Sequence, residues 1–330
     1  MAELYPIKFE TVLKEKVWGG NALVSRYNKN SAKSEKIGES WEISAVAGNQ
    51  SVISNGFLAG NNIEEIIEVY MGDITGDAIY EKFGNEFPLL IKFIEAHEDL
   101  SIQVHPANEL ARERHNAYGK TEMWYILESE KESKIYTGFR EGVTREMYQA
   151  SIMDGALANL LNIEHPETGD TFFTPAGRVH AIGAGTVLVE IQQTSDITYR
   201  IFDWNRKNTG KEKRDLHTDL ALDAIDFNET GKNKIRKQPV LNNSVNLVNC
   251  EFFNTSLLRF NKPLNKEYYF VDSFVVYICT EGEFQICWDG EAESVLKGET
   301  VLLPAMIKEV VLKPKGEAQV LEIFVGTEEV

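Results

Sequence analysis

The sequence predicts a mainly β protein of two β-barrels, with a few short helices inserted in its N-terminal part. Three observations carry this. Strand-length segments with apolar or alternating character recur along the chain and fill nearly all of residues 240–330. Helical stripes are short and all precede residue 225. A spacing of glycine, five residues and proline occurs twice, at Gly169 and Pro175 and again at Gly298 and Pro304. A repeated strand-and-turn unit marks a duplicated β domain.

The 330 residues suffice for two domains with cores of their own. A hydrophobic fraction of 43% and a charged fraction of 26% are those of a soluble globular chain. No apolar run nears the roughly 20 residues of a membrane helix, and the start, Met1 to Pro6, carries no basic-then-apolar leader. With 34 basic against 51 acidic residues the net charge is −17. Such a surface repels nucleic acid and anionic membranes, but a few cations inside a pocket still admit a small anion. Three cysteines, Cys250, Cys279 and Cys287, form neither a metal knuckle nor an even-numbered disulfide set, so free buried thiols and a cytoplasmic location are expected.

From the N-terminus, Lys16 to Gly20 and Ile37 to Ser44 read as strands, the second placing Trp41 and Ile43 on one face. Asn62 can cap a helix from Ile63 to Val69, with Ile63, Ile66, Ile67 and Tyr70 on one stripe. A shorter helix, Asp77 to Phe83, ends at Gly84. Phe87 to Glu95 is an apolar strand interrupted by Lys92, a lysine at an edge or aimed into a polar cavity. The segment Pro106 to Ala117 reads as a helix closed by Gly119, and Lys120 to Leu127 resumes as a strand. A further helix spans Thr144 to Met153, and another His217 to Ala224. The polar, basic connector from Asn228 to Gln238 marks the domain boundary, giving a metal-binding domain at 1–238 and a β domain without metal ligands at 239–330.

The chemistry starts at Leu100-Ser101-Ile102-Gln103-Val104-His105-Pro106. In a strand, Gln103 and His105 share a face while Ile102 and Val104 point into apolar packing. An amide oxygen and an imidazole nitrogen aimed at one point are plausible metal ligands. A second stretch, Gly169 to His180, reads Gly, a short strand from Thr171, then a Pro175–Gly177 turn that delivers His180 at the head of a strand running from Ala181 to Ile191. This spacing resembles the second signature of the cupin superfamily, jelly-roll barrels that hold one metal, with Ala184 where the usual final Asn stands. In the later copy, five residues beyond Pro304 is Glu309, where the first copy has His180. The C-terminal barrel therefore reads as structural.

Two carboxylates compete to complete the site. Glu109 follows Pro106 on a helix that would carry it off the strand face. Glu122 begins a strand able to run beside Gln103 and His105, and is preferred. Gln103, His105, Glu122 and His180 would leave a divalent ion open to water or substrate. These donors fit Zn²⁺, with Mn²⁺, Fe²⁺ and Co²⁺ also compatible. His97, His115, His165 and His217 are expected in surface or capping roles.

Taken together, Ser101 to Pro106, Gly119-Lys120-Thr121-Glu122-Met123-Trp124, Val179-His180-Ala181-Ile182-Gly183, Arg200, Lys16 to Gly20 and Gly38 to Ile43 resemble type I mannose-6-phosphate isomerases in their short bacterial form. The resemblance covers the whole chain. It implies one zinc ion per chain on Gln103, His105, Glu122 and His180, Arg200 in the active site, and cytoplasmic conversion of mannose 6-phosphate to fructose 6-phosphate. Gly119 stands where longer members often carry a histidine, and their large helical insertion is absent.

Aldose–ketose isomerisation through an enediol needs an electrophile at the substrate oxygens and a base near carbon. Arg200 can stabilise the developing oxyanion; its structural alternative is an ion pair with Asp196. Lys120, two residues before Glu122, is a candidate base, with Asp196 and a metal-bound hydroxide as alternatives. Ser101 and Lys92 are the candidates for holding the phosphate. The expected partner is a sugar phosphate rather than nucleic acid or membrane, and the expected assembly a monomer or weak homodimer.

Overall fold

The computed structural model describes residues 3–29, 36–206, 214–229 and 234–326. Strands dominate and the helices are short, as the patterning predicts. Helix Ile63–Tyr70 is closed reciprocally at its start: Asn62 Oδ1 accepts from the Glu65 N–H at 3.0 Å, and the Glu65 carboxylate accepts from the Asn62 N–H at 2.8 Å. Asp77–Phe83 ends at Gly84 as read from the sequence. The helix after Pro106 is shorter than predicted, Asn108–His115. Ala107 is extended, and Asn116 adopts the left-handed cap (φ 50°) before Gly119 is reached.

The strands form four antiparallel sheets, and none of them closes on itself. A seven-stranded sheet has the spatial order Lys234–Ile235, Thr171–Thr174, Glu122–Ser129, Thr186–Gln193, Leu89–Ala96, Ile37–Ile43 and Val12–Gly20. A five-stranded sheet faces it, in the order Tyr199–Phe202, Ile102–Val104, His180–Ile182, Ile135–Phe139 and Leu161–Glu164. Trp124, Phe172, Leu188 and Ile94 of the first meet Ile135 and Ile182 of the second between them.

The predicted strand from Ala181 to Ile191 is in fact two strands in two sheets. His180–Ile182 lies in the smaller sheet and Thr186–Gln193 in the larger. The chain crosses at Gly183-Ala184-Gly185, where Gly185 takes φ 78° and Gly183 approaches the Lys134 backbone too closely for a side chain. The connector predicted over 228–238 also contributes structure: Lys234 and Ile235 pair with Phe172 and Thr171 at the sheet edge.

Every described element from Asn243 to Phe324 is a strand, as expected. They make a six-stranded and a four-stranded sheet that repeat the order of the first pair with one strand fewer in each. Thr300–Leu303, Val275–Glu281, Ala318–Phe324, Asn254–Phe260 and Asn243–Asn249 follow one another as do the five strands from Thr171–Thr174 to Ile37–Ile43. The outermost strand, Ile7–Lys8, comes from the N-terminus and pairs with Leu302 and Val301. The two larger sheets share one core, in which Phe93, Tyr125 and Val189 pack with Val276, Ile278 and Leu321. Among the described residues no helix is long and apolar enough to cross a membrane, and all three cysteines are free.

Gly298, which opens the second copy of the repeated turn, has φ 87°, and a Cβ there would overlap the Tyr27 carbonyl oxygen. Gly290 has the same backbone sign (φ 86°) with open space around it. Gly290→Ala is expected to cost about 1–2 kcal/mol of backbone strain, and Gly298→Ala clearly more. Urea midpoints of the two variants check this; equal shifts would show that the Tyr27 contact is immaterial.

Candidate active site

His180 and Arg200 stand directly opposite Gln103 on its two neighbouring strands. Opposed residues share a face, so Arg200, Gln103 and His180 form one row across the smaller sheet. From the larger sheet, Glu122 points at this row. Its Oε1 is 3.3 Å from His180 Nε2 and its Oε2 3.5 Å from His105 Nε2. His105, Glu122 and His180 are all buried, with one donor atom from each lying within 4.8 Å of the others. Gln103 Nε2 is 3.3 Å from His180 Nε2, and a half-turn of the amide aims its oxygen at the same place. Glu109 is exposed on its helix.

The donor set fits a divalent cation. His105 Nδ1 donates to the Ile197 carbonyl at 2.9 Å and His180 Nδ1 to the Arg178 carbonyl at 2.8 Å, which leaves both Nε2 lone pairs facing inward. Glu122 Oε1 is buried without a hydrogen-bond partner. Burial, then the Lys120 ammonium, hold the His105 imidazole far below its ordinary range. Burial likewise brings His180 down to about 3. Both rings are therefore neutral ligands at physiological pH. Burial and repulsion by Glu190 raise the Glu122 carboxyl against the pull of Lys120, a proton affinity that a cation would replace.

Above this floor opens a cavity of about 320 Å³. Lys120, Gln103, Arg200, Asp196, Ser101 and Lys92 all line it; His105, Glu122 and His180 lie buried behind Gln103 and Lys120, which touch both the cluster and the cavity. Lys120 Nζ contacts Glu122 Oε2 and lies 3.2 Å from His105 Nε2 and 3.7 Å from Glu190. Lys92 is buried; its ammonium meets Glu190 at 2.9 Å and Gln192 at 2.7 Å. Burial would lower it, but Glu190 and Glu39 keep it raised. Asp196 is exposed. The sequence alternative of an Arg200–Asp196 ion pair is not what the structure contains: Arg200 Nη1 donates instead to the Asp215 carbonyl at 3.0 Å.

The remaining histidines have plain roles. His97 is exposed, His115 meets the Tyr199 hydroxyl, and His165 meets the Ser133 carbonyl. His217 Nδ1 accepts from the Arg200 N–H at 3.1 Å. Sequence reading missed Glu190, Lys16, Glu39, Trp41 and Arg214, which also line the cavity. Glu190 had a visible signal, a lone carboxylate inside the apolar run Val187 to Ile191. Burial would raise Glu190, but Lys120 and Lys92 hold it below the usual carboxylate range.

Comparison with known proteins gives this geometry a family. The pattern of the phosphomannose isomerase type I catalytic domain matches residues 7–149. The chain is 32% identical over 318 residues to mannose-6-phosphate isomerase ManA of Bacillus subtilis, covering 94% of this chain and 97% of that protein. The chain belongs to the type I phosphomannose isomerases. A mannose-6-phosphate isomerase of Streptococcus mutans is 36% identical over 229 residues, 68% of each chain. The crystal structure of the mannose 6-phosphate isomerase from Bacillus subtilis superposes with a TM-score of 0.84 at 27% identity, covering 97% of this chain and 99% of that one. Within this family frame, the row Arg200–Gln103–His180 and the opposing Glu122 are held by strand register rather than by loops.

Two outcomes are expected. His180→Ala should lose most bound divalent metal by elemental analysis while remaining folded, and Glu109→Gln should keep it; the reverse pattern would move the carboxylate ligand to Glu109. In the metal-free protein, the unfolded chain takes up protons on both imidazoles below about pH 6.5, the ordinary histidine value, whereas folded His180 resists protonation to about 3. Stability present at neutral pH should therefore fall as pH drops from 6.5 towards 3, with the two imidazoles outweighing the opposite contribution of the single raised Glu122 carboxyl. Urea midpoints at pH 7 and pH 5 in chelator test this, and equal midpoints would refute it.

Proposed function

We propose that this chain interconverts mannose 6-phosphate and fructose 6-phosphate through an enediol-type intermediate. One zinc ion per chain is assigned to Gln103, His105, Glu122 and His180. The observation that carries the reading is the conjunction, in a member of this family, of a buried His–Glu–His cluster with a cavity whose walls bear lysines and arginines. When bound, the cation supplies Lewis-acid polarisation of a sugar oxygen.

The protein's own groups do the rest. Arg200, in line with Gln103 on the sheet face, stabilises negative charge as it develops on the substrate oxygen. Asp196 enters the cavity as an exposed carboxylate; in the direction of fructose 6-phosphate it takes the proton from C2 and returns it to C1 of the enediol. Lys120 enters as an ammonium already held by Glu122, gives a proton to O1 as the enediol forms and recovers one from O2 as it collapses to the ketone. Ser101 and Lys92 offer a hydroxyl and an ammonium to the phosphate side. Trp18, Trp41 and Ile94 narrow the walls and limit water.

The two facing sheet pairs are read as two cupin-type jelly-roll halves, 1–238 catalytic and 239–330 without metal ligands. The enzyme is read as cytoplasmic, a monomer or weak homodimer that engages neither nucleic acid nor membrane.

A coupled assay for fructose 6-phosphate, with and without chelator, tests the proposal. Turnover that stops in chelator and returns with Zn²⁺ is expected; turnover indifferent to chelator would defeat the metal assignment, and none in the metal-loaded protein would defeat the activity. Arg200→Ala should lower kcat about 10²- to 10³-fold with metal content retained.

A further inference from the structure

Counting charge around the cavity separates its cations into two groups. Lys16 is paired with Glu39 at 3.0 Å, Lys92 with Glu190 at 2.9 Å, and Lys120 with Glu122. Each of these ammonium charges is already matched by a carboxylate. A phosphate monoester brings close to two negative charges at pH 7, and these matched lysines leave little positive potential for it.

The other group is a pair of guanidiniums, Arg200 and Arg214, both lining the cavity. Among the described residues Arg200 has no carboxylate partner, and its Nε is buried without a hydrogen bond. Arg214 donates from Nε to Asp203 Oδ2 at 3.0 Å and from Nη2 to Asp203 Oδ1. Arg206 Nη1 shares the same Oδ1 at 2.9 Å. Arg206 Nε also meets Glu98 Oε2 at 3.5 Å, so three guanidiniums, Arg200, Arg206 and Arg214, share two carboxylates and one positive charge stays unmatched. Burial and then repulsion by Arg214 lower the affinity of Arg200 for its proton, outweighing the pull of the Asp203 and Asp215 carboxylates. Like charges held together around an unfilled N–H are the arrangement a doubly charged oxyanion relieves.

Position agrees with charge. Tyr199–Phe202 is the outer strand of the smaller sheet, and Arg200 lies one strand spacing, about 4.8 Å, beyond Gln103 on the side away from His180. Arg214, from the segment after that edge strand, adds positive charge beside Arg200. A sugar with C1 and C2 at the His–Glu–His cluster can extend its far end along this row.

We propose that Arg214, oriented by its two bonds to Asp203, is the principal anchor of the substrate's phosphate group. The inference rests on the isomerase reading for the identity of the sugar, but not for the anion site itself. Ser101 and Lys92 then complete the phosphate's surroundings without supplying its main counter-charge.

The test uses the metal-loaded full chain and two probes, inorganic phosphate and mannose 6-phosphate. Arg214→Ala is expected to raise KM for mannose 6-phosphate, and the inhibition constant of inorganic phosphate, about 10- to 100-fold. It should leave kcat within a few-fold and metal content unchanged, and Arg214→Lys should recover part of the loss. Unchanged KM and unchanged phosphate inhibition would overturn the inference, as would an equal loss of kcat with KM constant. Calorimetry separates the two claims. If wild type binds both probes, Arg214→Ala binds neither, and no turnover occurs, the anchor stands and the isomerase reading falls.

Discussion

Two carboxylates, Glu122 and Glu190, lie buried on adjacent strands of the larger sheet, and the chemistry around them is compensation for that burial. An isolated carboxylate loses far more hydration than any single neighbour returns. Glu190 is met by Lys92, by Lys120 and by the Trp124 indole at 3.0 Å. Glu122 is left with Lys120 on one oxygen and a partnerless second oxygen beside two neutral imidazoles. The lysines balance Glu190 well and Glu122 incompletely. Two ammonium charges thus face two carboxylates, and the oxygen left without a hydrogen-bond partner, Glu122 Oε1, lies at the point where two ring nitrogens and an amide converge. That unsatisfied oxygen is what a cation bound by this group would satisfy.

The duplicated C-terminal sheets show what the same framework does without that cluster. Aligning Thr174 with Leu303 through the shared turn places Val275 where Glu122 stands and Tyr277 where Trp124 stands. Glu309 occupies the His180 position and accepts from the Tyr269 hydroxyl. The partner of Tyr277 on the next strand is Glu322, as Glu190 is the partner of Trp124. Glu322 is again buried and again compensated, by Lys266 at 2.9 Å and by the Tyr268 hydroxyl at 2.5 Å. One enclosed glutamate thus persists in both copies with a different set of partners. The second glutamate and its imidazoles occur in the first copy alone, so their presence is not demanded by the strand framework.

What could be read in the sequence was whatever depends on short-range geometry. Gln103 and His105 share a face because strands alternate. His180 follows a turn whose Pro and Gly are two residues apart, and Asn62 caps a helix because Glu65 stands three residues on. Glu122 could be preferred to Glu109 since a helix turns the latter away. The failures have the opposite character. The strand break at Gly183 to Gly185 joins two apolar segments that periodicity alone cannot divide, and only the crossing between sheets separates them. Lys92 suggested a polar cavity, yet its partner Glu190 lies 98 residues later. Arg214 shows no local signal, as its role depends on the sheet edge that places Arg200 beside it.

That division has a physical cause that bears on specificity. The candidate metal ligands Gln103, Glu122 and His180 come from three strands across two facing sheets, with His105 directly after the strand of Gln103, so their spacing is set by backbone hydrogen bonds and resists local change. The guanidiniums of Arg206 and Arg214 hang instead from Asp203, beyond the last residue of the edge strand, Phe202. Substitutions there alter charge at the cavity mouth without disturbing a single ladder bond in either sheet. Such an architecture lets the reaction centre stay rigid while the end that reads the substrate's anion varies. The same separation explains why Arg200, the last strand residue of the row, is the one side chain placed to feel both: its neighbour on one side is Gln103 at the cluster, and on the other the Asp203-held pair.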